Sequence, residues 1–290
     1  MNYVLKNDQL TVTVSSLGAE PISVKRGDCE YLWQGGGEYW GGRAPMLFPI
    51  CGRLQDGKYF HRGTEYEMKL HGFLRSEELE LVSSTDTELV LVLHANARTR
   101  AAYPFEFTLT ATYRLTGDRL DFTAEIQNGS DEAMPATFGG HPGFNVPLDG
   151  KGEFSDYRLE FSEPCTPDRI EIAPSGLQSG LRDAYPLQGN TVMPLSHDLF
   201  QIDGVFLSRM APAVTLKSDL SERFVTLSYP DMPYLGIWHD AQTPAPYVCI
   251  EPWCGLPDFD GRSTELVEKA QMFHLLPHTS KTVGFSMIFG

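Results

Sequence analysis

Apolar and polar residues alternate with a period of two along most of the chain, which is the pattern of half-buried β-strands. Residues 10–16 (LTVTVSS) alternate, and residues 105–128 alternate on both sides of a Thr-Gly-Asp turn. Residues 79–94 form a second predicted hairpin with a polar turn at 83–87. Further predicted strands are FVTLSY at 224–229, YLGIWH at 234–239, YVCIEPW at 247–253 and VGFSMIF at 283–289.

Helical patterns are scarce. The segment LVEKAQMF at 266–273 contains helix formers, but it also fits a turn before a strand. The 27 glycines and 20 prolines indicate many loops, and the chain has no internal repeat and no linker. We therefore predict an all-β protein, a large antiparallel β-sandwich in which residues 1–290 form one domain.

The composition excludes two classes of function. The formal net charge is −15, whereas a nucleic-acid-binding protein needs a basic face for the phosphates. No run of about 18 apolar residues is present, and the N-terminus alternates instead of forming an apolar signal segment. The five cysteines are odd in number and scattered, which argues against a disulfide framework. We expect a cytoplasmic protein with reduced thiols and neither a nucleic-acid nor a membrane partner.

The segment GGHPGFNVP at 139–147 surrounds one histidine with residues that shape the backbone. Gly139 and Gly140 would let the backbone approach a ligand closely, and Pro142 restricts His141 to extended conformations. A buried structural histidine needs none of these neighbours. The segment therefore indicates a histidine that is held at a set angle in a cleft.

The segment YVCIEPWCGLPD places Glu251 directly after an apolar strand. A carboxylate is costly to bury unless it is paired, and apolar surroundings raise its pKa towards the range of a general base. The structural alternative is a strand-end glutamate that faces water. Trp253 follows two residues later and offers a flat apolar face of the kind on which sugar rings pack, so we favour a functional role.

Other titratable or charged residues lie next to apolar runs. Arg53 follows PMLFPICG and is either a ligand-binding cation at a strand end or a surface arginine with a buried stem. His71, in KLHGFLRS, is by itself more typical of a hydrogen-bonded structural histidine. Asp203, in DGVFLS, is typical of a turn or edge position. Asp258 and Asp260 lie in a Pro/Gly-rich loop, where we expect turn formers.

Motifs of several common chemistries are absent from the sequence. It contains no GxSxG elbow, no P-loop, no GxGxxG before a helix and no HExxH. The histidines and carboxylates match no local metal motif, so no metal site is indicated and we expect no cofactor. An acid and a base on one β scaffold suit two cofactor-free reactions. These are glycoside hydrolysis, which normally needs two carboxylates, and the opening and reclosing of a hemiacetal ring.

Four segments, taken in order, resemble the aldose 1-epimerase (galactose mutarotase) family, and its LacX-like branch in particular. They are PMLFPICGRL, HGFLR, GGHPGFNVP and CIEPWCGLPD. The resemblance extends over nearly the whole chain. It implies a β-supersandwich of the galactose mutarotase type and an isomerase that interconverts the α and β anomers of free aldoses in hexose metabolism. We expect the partner to be a small-molecule sugar and the protein to be a monomer or a homodimer.

The resemblance also implies a role for each candidate residue. In the family mechanism a glutamate takes the proton of the anomeric hydroxyl, a histidine protonates the ring oxygen, and the ring opens, rotates and recloses. By this resemblance Glu251 is the base and His141 is the acid, and we expect them on opposite sides of the sugar. His71 matches the second site histidine, Arg53 the sugar-binding arginine, and Asp203 the substrate-binding aspartate.

Three questions stay open at this point. Related proteins act on hexose 6-phosphates, where Arg43 or Arg75 would hold the phosphate; both also fit ordinary surface cations. A non-catalytic sugar-binding or sensing protein would keep the cleft and its aromatic residues but dispense with Glu251. Either His71 or His141 is the main acid, and we choose His141 on the family match.

Overall fold

The computed structural model describes residues 1–263 and 265–290. It confirms the all-β prediction. In chain order, the strands of the described residues are Asn2–Lys6 (β1), Thr11–Ser15 (β2), Pro21–Arg26 (β3), Cys29–Glu30 (β4), Met46–Leu47 (β5), Lys58–His61 (β6), Thr64–Glu67 (β7), Glu80–Ser84 (β8), Glu88–His94 (β9), Phe107–Thr116 (β10), Arg119–Asn128 (β11), Met134–Ala136 (β12), Gly139–Gly140 (β13), Gly143–Asn145 (β14), Tyr157–Phe161 (β15), Asp168–Ile172 (β16), Gln178–Ala184 (β17), Val192–Pro194 (β18), Val205–Ser208 (β19), Ala213–Ser218 (β20), Phe224–Ser228 (β21), Tyr234–Trp238 (β22), Tyr247–Trp253 (β23), Phe273–Leu275 (β24) and Ser280–Phe289 (β25).

In the part of the chain that the structure describes, helical structure is limited to short pieces. The α-helix α1, Ala97–Ala102, is capped by the Asn96 side chain. Single 3₁₀ turns are Gln55–Gly57, Leu74–Ser76, Phe154–Asp156, His197–Phe200 and Leu266–Glu268. The helical alternative for residues 266–273 is wrong, because a 3₁₀ turn there precedes strand β24.

The two large sheets are antiparallel. The nine-stranded sheet has the order β18-β15-β20-β21-β25-β11-β10-β9-β8. The eight-stranded sheet has the order β17-β16-β19-β22-β23-β13-β5, and β14 also pairs with β23. The predicted hairpins at 79–94 and 105–128 are confirmed as β8–β9 and β10–β11. A four-stranded sheet, β1 to β4, and the pairs β6–β7 and β12–β24 complete the fold of the described residues.

The predicted sandwich forms because one face of each large sheet is apolar. In β10 every second residue from Phe107 to Leu115 is buried, as the alternation requires. Phe122 of the nine-stranded sheet stacks on Phe138, which precedes β13 of the other sheet, with ring centroids 5.6 Å apart. Apolar residues of both sheets therefore share one core.

Two further expectations concern the whole chain. All five cysteines lie in the described part of the chain and are free thiols. Among the described residues, no helix combines the length and the apolar character of a membrane span. The assignment of residues 1–290 to a single domain stays a prediction.

Candidate active site

A cavity of about 300 Å³ opens on the face of the eight-stranded sheet that points away from the shared core. Arg43, the alternative candidate for a phosphate ligand, does not line this cavity, but seven other candidate residues predicted from the sequence do. They are Arg53, His71, Arg75, His141, Asp203, Glu251 and Trp253. Segments up to two hundred residues apart in sequence thus meet at one place, beside strand β23.

Strand β23 lies between β22 and β13 and is buried on both faces. Val248 and Ile250 point into the shared core. The alternate residues lie on the other face, because successive side chains of a strand point to opposite sides. Cys249 belongs to an aromatic cluster beside the cavity, and Glu251 and Trp253 line the cavity itself. The sequence pattern therefore predicted the burial of Glu251 correctly, and its side chain is 2% exposed.

The imidazole of His141 and the carboxyl group of Glu251 are in direct contact. Nε2 of His141 lies 3.2 Å from Oε2 of Glu251, and the two side chains are 10% and 2% exposed. This distance is at the upper end of the range for proton transfer between heavy atoms. The contact contradicts the expectation that the two groups lie on opposite sides of a sugar, because no ring fits between them.

Burial shifts both groups towards their neutral forms. It raises the pKa of the Glu251 carboxyl well above its usual value, and the negative charge of Asp203 adds to this shift. Burial lowers the pKa of the His141 imidazole to about 3. Nδ1 of His141 is buried and has no hydrogen-bond partner among the described residues. In the imidazolium form both ring nitrogens carry a proton, and the N–H at Nδ1 would be unpaired.

His71 is held as a neutral imidazole of defined tautomer. Its Nδ1 accepts the backbone N–H of Gly52 at 3.0 Å, which places the ring proton on Nε2. Burial, followed by the positive charges nearby, lowers the pKa of His71 well below its usual value. The backbone of His71 has a φ of +65°, a left-handed conformation that is rare for histidine. Such strain concentrates at functional sites, where surrounding structure maintains it.

Charged groups form the outer part of the cavity. Arg53 and Arg75 line it, and both residues are exposed to solvent. Burial raises the pKa of Asp203, whereas the backbone N–H of Gly204, 2.8 Å from its carboxylate, and the Arg53 charge oppose the rise. A neutral inner pair and a charged rim are thus combined in one site.

The glycines of the GGHPGF segment have a different role from the one expected. A Cβ atom on Gly139 would lie 2.6 Å from the Trp253 ring, and one on Gly140 would lie 2.7 Å from the Phe285 ring. Both glycines therefore make room for protein side chains, and neither approaches the cavity as a ligand-binding backbone would.

The aromatic surface of the cavity also differs from the expectation. Trp253 is 2% exposed and packs against His71 and Phe206, so it leaves almost no indole face for a sugar ring. Trp40 and Trp238 line the cavity and are only half-buried. Neither tryptophan was predicted as a site residue from the sequence. A tryptophan among the glycines of QGGGEYWGG was the available signal for the first.

Asp258 is not an exposed turn former. Its carboxylate is buried and lies 2.9 Å from Nζ of Lys269, and it also accepts the backbone N–H of Gln55. Its own backbone N–H donates to the carbonyl oxygen of Arg53 at 2.8 Å. The hydrogen bonds of Asp258 therefore fix the loop that carries Arg53 against the loop after β23, and the Lys269 ammonium group pairs with the buried carboxylate.

Among the residues that the structure describes, one group of side chains could hold a metal ion. His141, Cys249 and Glu251 offer a nitrogen, a sulfur and an oxygen atom within 4.8 Å of one another. Burial raises the pKa of the Cys249 thiol well above its usual value, so the thiol stays protonated and is a poor ligand. The set fits acid–base chemistry better than metal binding, and the expected absence of a metal stays a prediction.

Comparison with known proteins decides the family. The sequence model of the family described as aldose 1-epimerase matches residues 1–268. The chain belongs to the aldose 1-epimerase family. Members of this family act on sugars, and the chain is accordingly an enzyme of the isomerase class with a small-molecule sugar as its ligand.

Relatives of this aldose 1-epimerase family member cover almost its whole length. It is 34% identical to the plasmid-encoded protein LacX of Lactococcus lactis subsp. lactis over 97% of each chain. It is similar to the structure of a galactose mutarotase related enzyme from Lactobacillus acidophilus, with 35% identity, a TM-score of 0.95 and coverage of 100% of this chain and 97% of the other. A galactose mutarotase-like protein from Lactobacillus casei has 29% identity and a TM-score of 0.93, with complete coverage of both chains. These matches confirm the resemblance to the LacX-like branch and the mutarotase-like fold.

Proposed function

We propose that this protein is an aldose 1-epimerase that interconverts the α and β anomers of a hexose, with Glu251 as the base and His141 as the acid of ring opening. The observation that carries the proposal is the 3.2 Å contact between Nε2 of His141 and Oε2 of Glu251 in the cavity. An acid and a base in this position are what the reaction needs, and a sugar-binding protein has no use for them.

The contact suits the substrate for a geometric reason. Ring opening removes a proton from the anomeric oxygen and adds one to the ring oxygen. Both oxygens are bonded to the same carbon, C1, so the two groups that exchange protons with them must lie close together. A neighbouring acid and base, each contributing about 10²–10⁴-fold, serve this pair of oxygens better than groups on opposite faces of the ring.

The proton count of the pair matches the reaction cycle. Ring opening starts from imidazolium and carboxylate, and it ends with neutral imidazole and carboxylic acid. Burial favours the neutral forms in the free protein. The two states have the same number of protons and differ by one transfer across the contact. Reclosure on the other face of C1 reverses the transfer, so the pair needs no external proton and no cofactor.

The surrounding residues supply binding contacts. His71 is neutral with its proton on Nε2, which makes it a hydrogen-bond donor. His141 is assigned as the acid because its imidazole contacts Glu251 directly. Arg53 and Asp203 line the cavity on its charged side, and we assign them to the sugar hydroxyls. We expect the protein to act in the cytoplasm as a monomer or a homodimer.

A second candidate substrate is a hexose 6-phosphate. Two guanidinium groups, those of Arg53 and Arg75, line the same cavity. Arginine forms bidentate hydrogen bonds with phosphate, and a pair of them suits a dianion better than a neutral hydroxymethyl group. The reaction and the inner pair of residues are the same for both substrates.

Polarimetry tests the proposal. Fresh α-D-glucose and α-D-galactose are followed to equilibrium with and without the purified protein, and exchange of glucose 6-phosphate anomers is followed by NMR. We expect acceleration of at least one of these sugars. If none is accelerated and a sugar still raises the Tm, the protein binds sugar without turnover and the proposal is wrong.

Replacement of Arg75 separates the two substrate classes. Arg75→Met is expected to lower kcat/KM for glucose 6-phosphate at least about tenfold if the phosphate is held there, since a charge-assisted hydrogen bond is worth about 1.5–3 kcal/mol. The rate with a free aldose is expected to change little. Arg114→Met, which removes an exposed arginine paired with Glu88, is the control.

A further inference from the structure

Trp40 covers the imidazole of His141. The two ring centroids are 4.8 Å apart, and the planes are inclined by 30°. Trp238 meets the same imidazole with its edge at 5.7 Å, and His71 lies perpendicular to it at 5.5 Å. Three aromatic rings thus surround His141 and leave its Nε2 directed at Glu251.

The Trp40 indole occupies a position that two glycines leave free. A Cβ atom on Gly42 would lie 2.4 Å from Cζ2 and 2.5 Å from Cε2 of Trp40, and its three nearest neighbours would all be atoms of this ring. A Cβ atom on Gly143 would lie 3.0 Å from Cζ3 of the same indole. Gly143 is two residues after His141, so the GGHPGF segment contributes both the imidazole and part of the space that the Trp40 indole occupies.

The backbone of Trp40 is also tied down at both ends. Its N–H donates to the carboxylate of Asp240 at 2.5 Å. Its carbonyl oxygen accepts the indole N–H of Trp33 at 2.8 Å. A tryptophan within a glycine-rich loop would otherwise have little to fix it. These two hydrogen bonds, together with the space left by Gly42 and Gly143, hold the Trp40 indole over His141.

We propose that Trp40 is a positioning residue of the catalytic pair: it excludes water from the His141 imidazole and keeps Nε2 in contact with Glu251. The effect on rate rests on the proposed function, whereas the effect on His141 itself does not. A displacement of about 1 Å at a reacting group can cost about 10²-fold in rate. Trp40 therefore affects the rate by fixing the His141 imidazole, although it takes no part in the proton transfer.

Loss of the Trp40 indole should change the pKa of His141 in a predictable direction. Burial is the largest cause of the low pKa of His141, which is about 3, and removal of the indole admits water. The pKa of His141 should then rise towards 6.5, the value of an unperturbed histidine. The other titratable and charged groups around the imidazole stay in place in such a variant. They are Glu251 and Cys249 on β23, His71, Arg75 and, beyond Glu251, Asp203.

Two neighbouring glycines provide a matched pair of variants. Gly42→Ala places a methyl group where the Trp40 indole lies, whereas a Cβ atom on Gly41 meets nothing within 4 Å. Neither glycine has a positive φ, so alanine fits the backbone at both positions. Trp40→Ala removes the indole directly and carries the test if Gly42→Ala does not fold. Trp40→Phe keeps a smaller ring in the same place.

The first readout is the titration of His141, followed by NMR with histidine labelled at Cε1 and assigned with His141→Gln. We expect Gly42→Ala and Trp40→Ala to raise the pKa of His141, Trp40→Phe to raise it less, and Gly41→Ala to leave it unchanged. The second readout is kcat with an accepted sugar, which should fall at least about tenfold in the same order.

The outcomes separate the two proposals. An unchanged His141 titration and an unchanged kcat in Trp40→Ala would overturn the role of Trp40. An equal effect of Gly41→Ala and Gly42→Ala would also overturn it, because a general disturbance of the loop would then explain both. If the titration shifts as expected but no sugar is turned over by the wild type, the positioning role stands and the proposed function fails.

Discussion

At the scale of single residues, the site depends on the contact between the buried imidazole of His141 and the buried carboxyl group of Glu251, 3.2 Å apart. Glu251 was expected to be buried because it interrupts an apolar strand, and it is. The direct contact with His141 could not be predicted, because it depends on the register of β14 against β23, where Gly143 pairs with Cys249. Trp40 was not predicted as a site residue for a similar reason, because a residue in an irregular loop has no hydrophobic periodicity that indicates its contacts.

The raised pKa of Glu251 predicts a stability change that is independent of catalysis. Between the pKa of an unfolded glutamate and the higher folded pKa, the native state binds more protons than the unfolded state, so this carboxyl lowers stability as pH rises. Glu251→Gln removes this penalty. We expect the variant to have a higher Tm than the wild type at pH 8, and nearly the same Tm at pH 4.

The measurement is calorimetry at both pH values. One pKa unit corresponds to about 1.4 kcal/mol, and each 1 kcal/mol shifts Tm by about 2–4 °C in a domain of 150–250 residues. Glu80→Gln, at an exposed position of β8, is the control and should change Tm little at either pH. A Tm of Glu251→Gln at or below that of the wild type at pH 8 would contradict the raised pKa.

At the scale of secondary-structure elements, the alternating pattern predicted the long strands and hairpins well. It predicted the short site-forming pieces poorly, because β5, β13 and β14 have only two or three residues each. The glycines were also misjudged. Whether a glycine makes room for a ligand or for a neighbouring side chain depends on what lies across the sheet, and for Gly139 this is Trp253.

The turn that carries His71 offers a test at this scale. His71 and Gly72 have φ values of +65° and +73°, and a Cβ atom on Gly72 would lie 2.1 Å from the carbonyl oxygen of Phe48. Arg62 and Gly63, between β6 and β7, have nearly the same conformation, with φ values of +51° and +74°, but a Cβ atom on Gly63 meets nothing within 4 Å. The two turns therefore separate backbone strain from close approach.

We expect Gly63→Ala to lower the free energy of unfolding by about 1 kcal/mol, the cost of a left-handed conformation. Gly72→Ala should cost about 3 kcal/mol or more, because the backbone around Phe48 must also move. Urea unfolding of both variants measures the difference. Equal losses would show that the approach of Gly72 to Phe48 has no energetic importance.

At the scale of the whole molecule, the fold class followed from composition and period, whereas the order of the strands did not. The last strand, β25, lies between β21 and β11, far from its neighbours in sequence. The resemblance to a family supplied the arrangement that the pattern could not. It did not supply the buried Asp258, whose hydrogen bonds tie the Arg53 loop to the loop after β23 and whose carboxylate pairs with Lys269.

By the proposed function, His141 and Glu251 act as one unit on the two oxygens bonded to C1. The most direct test is a double-mutant cycle of Glu251→Gln and His141→Gln, with anomer exchange of an accepted sugar measured by NMR magnetisation transfer. We expect each single variant to lose about 10²–10⁴-fold in rate, and the double variant to lose no more than the worse single variant. Single variants that keep the wild-type rate, or losses that multiply in the double variant, would contradict the claim.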